Sequence, residues 1–217
     1  MYFKSRAEAG VMLAEKLMKY RYENTVIVAL SDGAVQVGMQ VAAELHATLS
    51  LMLTLPVDLP GENMTYGMVT QQGGLVANRE LSGDQISHYY SEYRGHIEEQ
   101  RRVQTSRLNK ILGLGGVLDP DILRGQNVIL LSDGLRDARA IDVALDITKP
   151  LKLERLIIAA PVASIEAVDK AHVAADEVCF LSVTPNFIGS NHYYDTNDVP
   201  DHEQVLKMLD EFILRWR

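Results

Sequence analysis

Two short polar stretches carry the residues of this sequence that could do chemistry. Ser31-Asp32-Gly33 and Ser132-Asp133-Gly134 each follow an apolar run, and the two places share the letters L-S-D-G. If the stretches met, Asp32 and Asp133 would form a pair of carboxylates, which suits a divalent cation such as Mg²⁺, a polyol or a cationic ligand. Coincidence also explains the repeat and is slightly favoured, because Ser, Asp and Gly are common in turns.

Each polar stretch lies between a predicted strand and a predicted helix. The apolar runs Thr25–Leu30 and Val128–Leu131 have the length of strands buried on both faces. A helix is predicted from about Val35 to His46, and apolar residues recur at helical spacing from Asp137 onward. Strand, loop and helix form the half-unit of a doubly wound α/β sheet, which binds ligands beyond the carboxyl ends of its strands. We therefore expect the two stretches to lie side by side at the ends of neighbouring strands.

The remaining predicted elements alternate between helices and strands, as expected for a mostly parallel sheet. They are a helix Ser5–Tyr20 capped by Ser5, a strand Leu49–Leu55 closed by Pro56, a strand Leu153–Ala160 closed by Pro161, a helix from Ser164 to about Ala174, a strand Glu177–Leu181 and a helix Asp201–Arg217.

The middle of the chain departs from this alternation. A hairpin is predicted over about 62–78, and it would serve either as a flap over the ligand crevice or, equally, as an edge hairpin that covers apolar surface. One long charged helix is predicted over about 84–112, with Gly95 as its weak point. Such a helix is typical of a solvated brace or a contact in a homodimer. Residues 1–217 are predicted to form a single domain.

Composition limits the classes of function. The net charge of −8 argues weakly against a nucleic-acid partner, whose binding relies on basic surface. Cys179 is the only cysteine, so an intramolecular disulfide and a thiolate metal cluster are excluded, and the histidine spacing predicts no metal site. No apolar run approaches the ~20 residues of a membrane span, and the N-terminus lacks the apolar core of a signal peptide. A cytoplasmic protein without a membrane partner is expected.

The segment Asn127 to Asp146 resembles the ribose-phosphate-binding loop of the type I phosphoribosyltransferases. That family has an apolar strand, then D-D-G-x-x-T-G-x-T, then a helix. The resemblance implies that the two acids hold the ribose hydroxyls of phosphoribosyl pyrophosphate (PRPP). It also implies that the Thr-Gly-x-Thr turn binds the 5′-phosphate at the helix N-terminus, where free N–H groups and the helix dipole favour an anion.

The match to the two acids is partial. Ser132 stands at the first acid, Asp133 at the second, and Gly134 is retained. The resemblance therefore implies that one of the two acids for the ribose hydroxyls remains.

The match to the phosphate turn is weaker still. Arg136 takes a small-residue position, Asp137 stands at the first Thr, Ala138 at the Gly and Ala140 at the last Thr. Asp137 puts a carboxylate where a phosphate should bind, and such an Asp can cap its own helix. Arg136 and Arg139 could restore positive charge, although ordinary surface arginines are the favoured interpretation.

The first polar stretch resembles the family's pyrophosphate loop, Pro-Arg-Gly-Gly, with the same change of charge. Ser31, Asp32, Gly33 and Ala34 stand at those four positions, so that an anion replaces the cation beside the leaving group. Two unit charges ~5 Å apart interact by ~3 kcal/mol at an effective dielectric of ~20, so the inversion would be costly for pyrophosphate.

Further matches to a bacterial branch of predicted phosphoribosyltransferases cover nearly the whole chain. They lie at Arg6–Gly10, Gly73–Asn78, Ala159–Ala163, Ala175–Cys179 and Tyr193–Asp195. The implied fold is α/β: a doubly wound, mostly parallel sheet of the phosphoribosyltransferase type, with an inserted hairpin and a long helix.

Three functions remain open at this point. The favoured one is a non-catalytic, small-molecule-binding or regulatory module, because both anion-binding loops have changed toward acid. The others are an active phosphoribosyltransferase with a rebuilt phosphate loop, and a metal-assisted hydrolase on the same scaffold. No catalytic residue or cofactor is assigned, with Mg²⁺ the candidate metal. The candidate ligand-binding residues are Ser31, Asp32, Gly33, Ala34, Ser132, Asp133, Gly134, Leu135, Arg136, Asp137, Ala138, Arg139 and Ala140.

Overall fold

The computed structural model describes residues 1–62, 64–112, 118–137, 139–197 and 199–214. They fall into two compact units. Met1–Met52 and Leu118–Arg217 form unit 1, and Leu53–Val117 forms unit 2. Within the described ranges, no helix is both long enough and apolar enough to cross a bilayer. The single domain over 1–217 stays a prediction.

Helices and strands alternate through most of the described chain. The helices are α1 Arg6–Leu17, α2 Asp32–Leu45, α3 Gly83–Leu112, α4 Arg139–Thr148, α5 Ile165–Ala174 and α6 His202–Leu214. The strands are β1 Thr25–Ala29, β2 Thr48–Leu51, β3 Thr54–Asp58, β4 Thr65–Thr70, β5 Leu75–Ala77, β6 Asn127–Leu131, β7 Arg155–Ser164 and β8 Glu177–Thr184. Short 3₁₀ turns cover Met18–Tyr20, Pro120–Leu123 and Ser190–Tyr193.

Unit 1 is built on a five-stranded parallel sheet in the order β2-β1-β6-β7-β8. In the register of the central strands, Ala29 pairs with Leu131 and Leu131 pairs with Ala159. The carboxyl ends of β1, β6 and the matching part of β7 are therefore level with one another. The predicted α/β class and the adjacency of the two loop-bearing strands are confirmed.

Helices cover both faces of this sheet. On one face, Val28 of β1 and Leu130 of β6 pack in a core cluster with Ile141 of α4 and Ala167 of α5. On the other face, α2 lies close to the sheet, since a Cβ built at Gly38 would come 3.8 Å from Cγ2 of Ile27. Alternate residues of β1 thus point to opposite helical layers, which is the doubly wound arrangement.

The first polar stretch is the start of a helix and not a loop. Ser31 has extended backbone, and its Oγ accepts the N–H of Ala34 at 3.1 Å, so it is the N-cap of α2. The prediction of a helix from about Val35 began three residues too late, because this cap draws Asp32 and Gly33 into the first turn. Ser5 caps α1 and Ser164 caps α5, as predicted.

Both prolines that were expected to close strands lie inside them. Pro56 lies in β3, an edge strand of the unit 2 sheet, where a missing N–H is tolerated. The predicted strand Leu49–Leu55 is therefore two strands, one in each unit. Pro161 lies within β7 in a gap of the pairing with β6, which ends at Ala159 and returns only as a bridge to Ala163.

Unit 2 packs an antiparallel sheet, in the order β3-β4-β5, on the long helix α3. The predicted hairpin is confirmed as β4 and β5, and the predicted helix as α3. Its interruption is at Tyr93 (φ −110°, ψ 20°) and not at Gly95. Tyr66 and Val69 of the hairpin share a buried cluster with Ile97 and Leu108 of α3, so the hairpin covers apolar surface. Its role as a flap stays a prediction.

A close contact between α1 and α2 gives the first testable prediction. A Cβ at Gly10 would come 2.6 Å from the backbone oxygen of Val37 and 2.8 Å from Cβ of Gln40, whereas a Cβ at Gly95 would meet nothing within 4 Å. Both glycines are helical, so alanine offers each the same gain in helix propensity, up to ~1 kcal/mol. Gly10→Ala should nevertheless lower the free energy of unfolding by ~1–3 kcal/mol through overpacking, while Gly95→Ala should not lower it.

Urea unfolding of the two variants and the wild type measures this difference. Equal stability of the Gly10 and Gly95 variants would contradict the close approach of α1 to α2.

Candidate functional site

The two polar stretches meet at the carboxyl end of the unit 1 sheet. The N–H of Leu30 donates to the backbone oxygen of Leu131 at 2.9 Å, which continues the pairing of β1 with β6 beyond the strands. Ser31 Oγ then donates to Asp133 Oδ1 at 3.0 Å. The expected adjacency is therefore confirmed, and the two stretches are joined by a direct hydrogen bond.

Asp133 is a buried acid that faces inward. Its side chain accepts from Nε of Arg6 at 2.9 Å through the oxygen not used by Ser31. The residue is 7% exposed, and Arg6 only 1%. A Cβ built at Gly33 would come 2.5 Å from Asp133 Oδ2, so the first turn of α2 closes directly over the carboxylate. Both oxygens of Asp133 are thus already bonded within the protein.

Arg6 is held by more than its acid partner. Its Nη2 donates to Asn191 Oδ1 at 2.6 Å, and its guanidinium lies 4.4 Å from the centre of the Tyr194 ring. Tyr194 in turn donates its hydroxyl to the backbone oxygen of Asp133. Burial and the nearby charge of Asp133 raise the pKa of Tyr194, despite the opposing effect of Arg6. Tyr194 therefore remains a protonated donor at neutral pH.

The contacts of Arg6, Asn191 and Tyr194 with Asp133 and with one another were missed by the sequence reasoning. A signal was present for one of them. Arg6 falls on the same stripe of α1 as the buried residues Ala9 and Leu13, at i, i+3 and i+7. A cation on a buried stripe requires an acid partner, because an unpaired buried charge is very costly.

Among the described residues, Asp32 and Asp133 have different partners. Asp32 Oδ1 lies 2.9 Å from Nδ1 of His202, the first residue of α6. No group of three or more His, Cys, Asp or Glu residues in the described ranges could hold a metal ion. Asp32 is also the more exposed of the two carboxylates, with 30% of its side chain accessible against 10% for Asp133. Asp32 is therefore the acid that remains open to a ligand.

In the second loop, a carboxylate of the protein itself, that of Asp137, lies at the N-terminus of α4. Asp137 Oδ1 accepts the N–H of Arg139, the first residue of α4, at 3.1 Å, and Oδ2 pairs with Arg139 Nη2 at 2.5 Å. The predicted capping by Asp137 is confirmed. Burial alone would raise the pKa of Asp137, but the hydrogen bonds and charge of Arg139, with the charge of Arg136, hold it below its ordinary value. A negative charge is thus stable at the start of α4 without a ligand.

Backbone contacts fix the rest of this loop. Ser132 Oγ donates to the backbone oxygen of Gly134 at 3.1 Å, and the N–H of Leu135 donates to the backbone oxygen of Val162 at 2.9 Å. A Cβ at Gly134 would come 2.6 Å from Oγ of Ser190. Glycine is therefore required at position 134 by the turn that follows β8, independently of any ligand.

The loop arginines also have partners in the protein. Arg136 Nη2 donates to the backbone oxygen of Ile188 at 2.5 Å, and its guanidinium lies 6.0 Å from the centre of the Phe187 ring. Arg139 is bound to Asp137. The alternative in which they restore positive charge for a phosphate stays untested, and it has to use donors that these contacts leave available.

Four further candidate ligand residues are Ala34, Leu135, Ala138 and Ala140. The side chains of Ala34 and Leu135 are buried in the core. Ala34 is buried because α2 begins early, and Leu135 because it bridges to Ala163 of β7. Their role in binding a ligand, for which only their backbone is available, stays a prediction. Ala138 lies outside the described residues, and Ala140 is half-buried in the first turn of α4.

The buried ion pair gives the second prediction. Arg6→Met leaves Asp133 as an uncompensated buried charge and should cost ~3–5 kcal/mol of unfolding free energy. Arg124→Met removes an exposed arginine paired with Asp121 and should cost no more than ~1 kcal/mol. Urea unfolding at pH 7 measures both losses. Adding Asp133→Asn to the Arg6 variant should restore part of the stability, since the residues are coupled. Equal costs for the two arginine variants would refute the pairing.

The pKa of Asp137 gives the third prediction. Because its folded pKa is depressed, the carboxylate stabilises the fold above the ordinary value of 3.8 and loses this effect as the pH falls through the folded pKa. Asp137→Asn keeps a capping side chain but removes the charge, so it should lower stability by ~0.5–1 kcal/mol at pH 7. The difference from wild type should shrink below about pH 4.

The control for this prediction is Asp169→Asn on the exposed side of α5. It should change the unfolding free energy little at pH 7. A wild-type advantage over the Asp137 variant that stays constant as the pH falls would show that the charge of Asp137 is not the stabilising feature.

Comparisons with known proteins agree with this architecture. Residues 4–182 match the phosphoribosyl transferase domain family. The structure is similar to that of TT1426 from Thermus thermophilus, with a TM-score of 0.77 and 28% identity over 98% of this chain and 99% of that one.

The chain is also similar to a curated protein whose name gives the same family. It is "Putative phosphoribosyl transferase Rv0571c" of Mycobacterium tuberculosis strain H37Rv, 23% identical over 213 residues, which are 96% of this chain and 46% of that protein. The chain therefore spans about half the length of this relative. Because the family match extends over most of the sequence and both loops lie at the ends of neighbouring parallel strands, the chain belongs to the phosphoribosyl transferase domain family.

Proposed function

We propose that this chain is a phosphoribosyl transferase-family module that does not transfer ribose 5-phosphate from PRPP, and that it binds a different small molecule. The carrying observation is Asp137, whose carboxylate takes the N–H of Arg139 at the start of α4. The family's phosphate is expected at such a helix N-terminus. A phosphate arriving there would have to displace a carboxylate that is covalently part of the loop, and would meet its charge while doing so.

The state of Asp133 supports the same conclusion. By resemblance it is the retained acid for the ribose hydroxyls, and those hydroxyls would have to donate to its oxygens. Both oxygens are already engaged by Arg6 and Ser31, and the first turn of α2 lies against them. A ribose hydroxyl could reach only the lone pairs that these bonds leave, on a side chain that is 10% exposed, so Asp133 is poorly placed to hold ribose in the free protein.

The class of ligand follows from the acid that remains accessible. Asp32 is partly exposed at the start of α2, where its charge is favourable to the helix dipole but repels a pyrophosphate group. A carboxylate bonded to an imidazole accepts hydrogen bonds from hydroxyl groups and attracts cations. The expected ligand is therefore a polyol or a small cationic molecule, bound between Ser31–Ala34 and Ser132–Ala140.

The fourth prediction tests the loss of PRPP binding. In calorimetric titration, the wild type should show no saturable binding of PRPP with Mg²⁺ at millimolar ligand, a threshold of ~4 kcal/mol. The triple variant Asp32→Arg, Asp137→Thr, Ala138→Gly restores the family's residue types and should gain affinity for PRPP and ribose 5-phosphate. Position 138 is chosen from the family pattern.

The controls separate the outcomes. Asp169→Asn changes one charge in unit 1 outside the two loops and should gain nothing. A thermal shift of the wild type with a polyol or a small cationic molecule that Asp32→Asn abolishes would support the proposed ligand class. Saturable PRPP binding by the wild type would overturn the proposal in favour of an active transferase with a rebuilt phosphate loop.

A further inference from the structure

A groove with basic lining runs along the outer side of α3 in unit 2. Its volume is about 700 Å³, and we call it the α3 groove. The lining includes Gly73, Arg101, Arg102, Thr105, Ser106 and Lys110. A second cavity of about 400 Å³ shares Arg102, Ser106 and Lys110 with it, so these three residues lie where the two cavities adjoin. The volume of the groove is in the range of small-molecule sites, ~300–1,000 Å³.

One wall of the groove is rigidly built. The turn between β4 and β5 is fixed on α3 because Arg101 donates from Nε and Nη2 to the backbone oxygen of Gly73, at 3.2 and 3.1 Å. Gly73 has a φ of +75°, and a Cβ there would already lie 3.4 Å from Cγ2 of Thr105. Nη1 of Arg101 also lies 3.8 Å from Oε2 of Glu98, so the charge of Arg101 balances the negative charge of this acid in the lining. Arg101 and Glu98 are therefore occupied in holding the wall.

Two cations that line the groove take no part in holding its wall. Arg102 and Lys110 are exposed, and neither has a hydrogen bond or ion pair with any residue in the described ranges. They are eight residues apart on a continuous helical stretch, or ~12 Å along the axis at 1.5 Å per residue. Ser106 lies midway, at the i+4 position, on the same side of the helix. The arrangement is a row of donors with a positive charge at each end.

The local charge contrasts with that of the whole chain. Residues 101–118 contain four Lys or Arg and no Asp or Glu, although the net charge of the protein is −8. Arg101 balances Glu98, so the surplus positive charge is carried by Arg102, Arg107 and Lys110, which repel each other and create a local positive potential. An anionic occupant would remove this repulsion. Because the donors are spread along the helix and are not gathered at one point, they indicate an occupant with several negative groups in a line.

We propose that the α3 groove binds a linear polyphosphate anion, of the kind carried by nucleoside polyphosphates or by inorganic polyphosphate. Arg and Lys form charge-assisted hydrogen bonds with phosphate oxygens, and hydroxyl groups such as that of Ser106 add neutral donors. Arg102 and Lys110 are spaced ~12 Å along the helix axis, so a chain of phosphates can contact both without the two side chains converging on one point, and it is favoured over orthophosphate. This inference is independent of the proposed function, because its residues all belong to unit 2.

The test uses inorganic tripolyphosphate as the probe and the full chain. Calorimetric titration at low ionic strength should show saturable binding by the wild type, weakened by added salt. The variant Arg102→Gln with Lys110→Gln should bind about tenfold more weakly, a change of ~1.4 kcal/mol. Orthophosphate should bind the wild type at least about tenfold more weakly than tripolyphosphate does.

A matched control removes the same charge elsewhere. Arg124→Gln with Lys207→Gln deletes two exposed cations of unit 1, each already paired with an acid, and should leave the affinity unchanged. An equal loss in both double variants would reduce the effect to net charge and overturn the proposal. Absence of saturable binding by the wild type would do the same.

Two further outcomes would place the anion or the groove in a different role. If tripolyphosphate affinity changes in Asp137→Thr but not in the groove variant, the anion binds at the α4 loop and the groove assignment is wrong. If the groove variant changes the molar mass in light scattering while tripolyphosphate binds neither protein, the surface is a contact between copies of the chain, and the proposal fails.

Discussion

The ion pair between Arg6 and Asp133 is the interaction on which the rest of unit 1 depends. It joins the start of α1 to the loop after β6, and through Ser31 it reaches the end of β1. Asn191 and Tyr194 bind the same pair from the turn after β8. Removing two charges from water is costly, and the cost is offset only where hydrogen bonds satisfy the remaining donors and acceptors. The neighbouring hydrogen bonds satisfy most polar atoms of the pair, and they fix the loop after β6 in one arrangement. Among the described residues, only Nη1 of Arg6 is a buried atom of the pair without a hydrogen-bond partner.

This arrangement explains how both loops keep their structure in the absence of a ligand. A helix N-terminus needs an oxygen acceptor, and α4 obtains one from Asp137 within its own loop. The end of β6 needs a fixed acid, and Asp133 obtains a cation from within the protein. Both positions are electrostatically satisfied in the free protein. The folded structure of these loops therefore does not depend on a bound ligand.

Much of the fold could be predicted because its signals are local. The runs in β1 and β6 are apolar at every position but the first, and Ser5, Ser164 and Asp137 stand just before helices that they cap. The late start predicted for α2 was a local error, because Ser31 was not recognised as its cap, whereas the error at Pro56 arose where a distant partner decides the outcome. Pro56 is tolerated in β3 because that strand lies at an edge, and an edge is not visible in the local sequence.

The same limit applies to the site. The meeting of Ser31 with Asp133 followed from the rule that parallel strands present their carboxyl ends together. The partners of the two acids could not be predicted by this rule, because Arg6, His202 and Tyr194 come from elements that are remote in sequence. The stripe of α1 could have indicated that Arg6 is buried, but no pattern along the chain names Asp133 as its partner.

The order of strands has a consequence for how the chain can vary. The two neighbours of β1 in the sheet are β2, which ends at Leu51, and β6, which begins at Asn127. Residues 52–126 therefore form one long connection between two strands of the parallel sheet. The entropic cost of closing such a connection grows only with the logarithm of its length, by ~0.6 kcal/mol for each doubling. Large changes in the length of the insert therefore cost unit 1 little stability. A family built this way can exchange the inserted segment, and with it the surface of α3, while the sheet and its buried ion pair are kept.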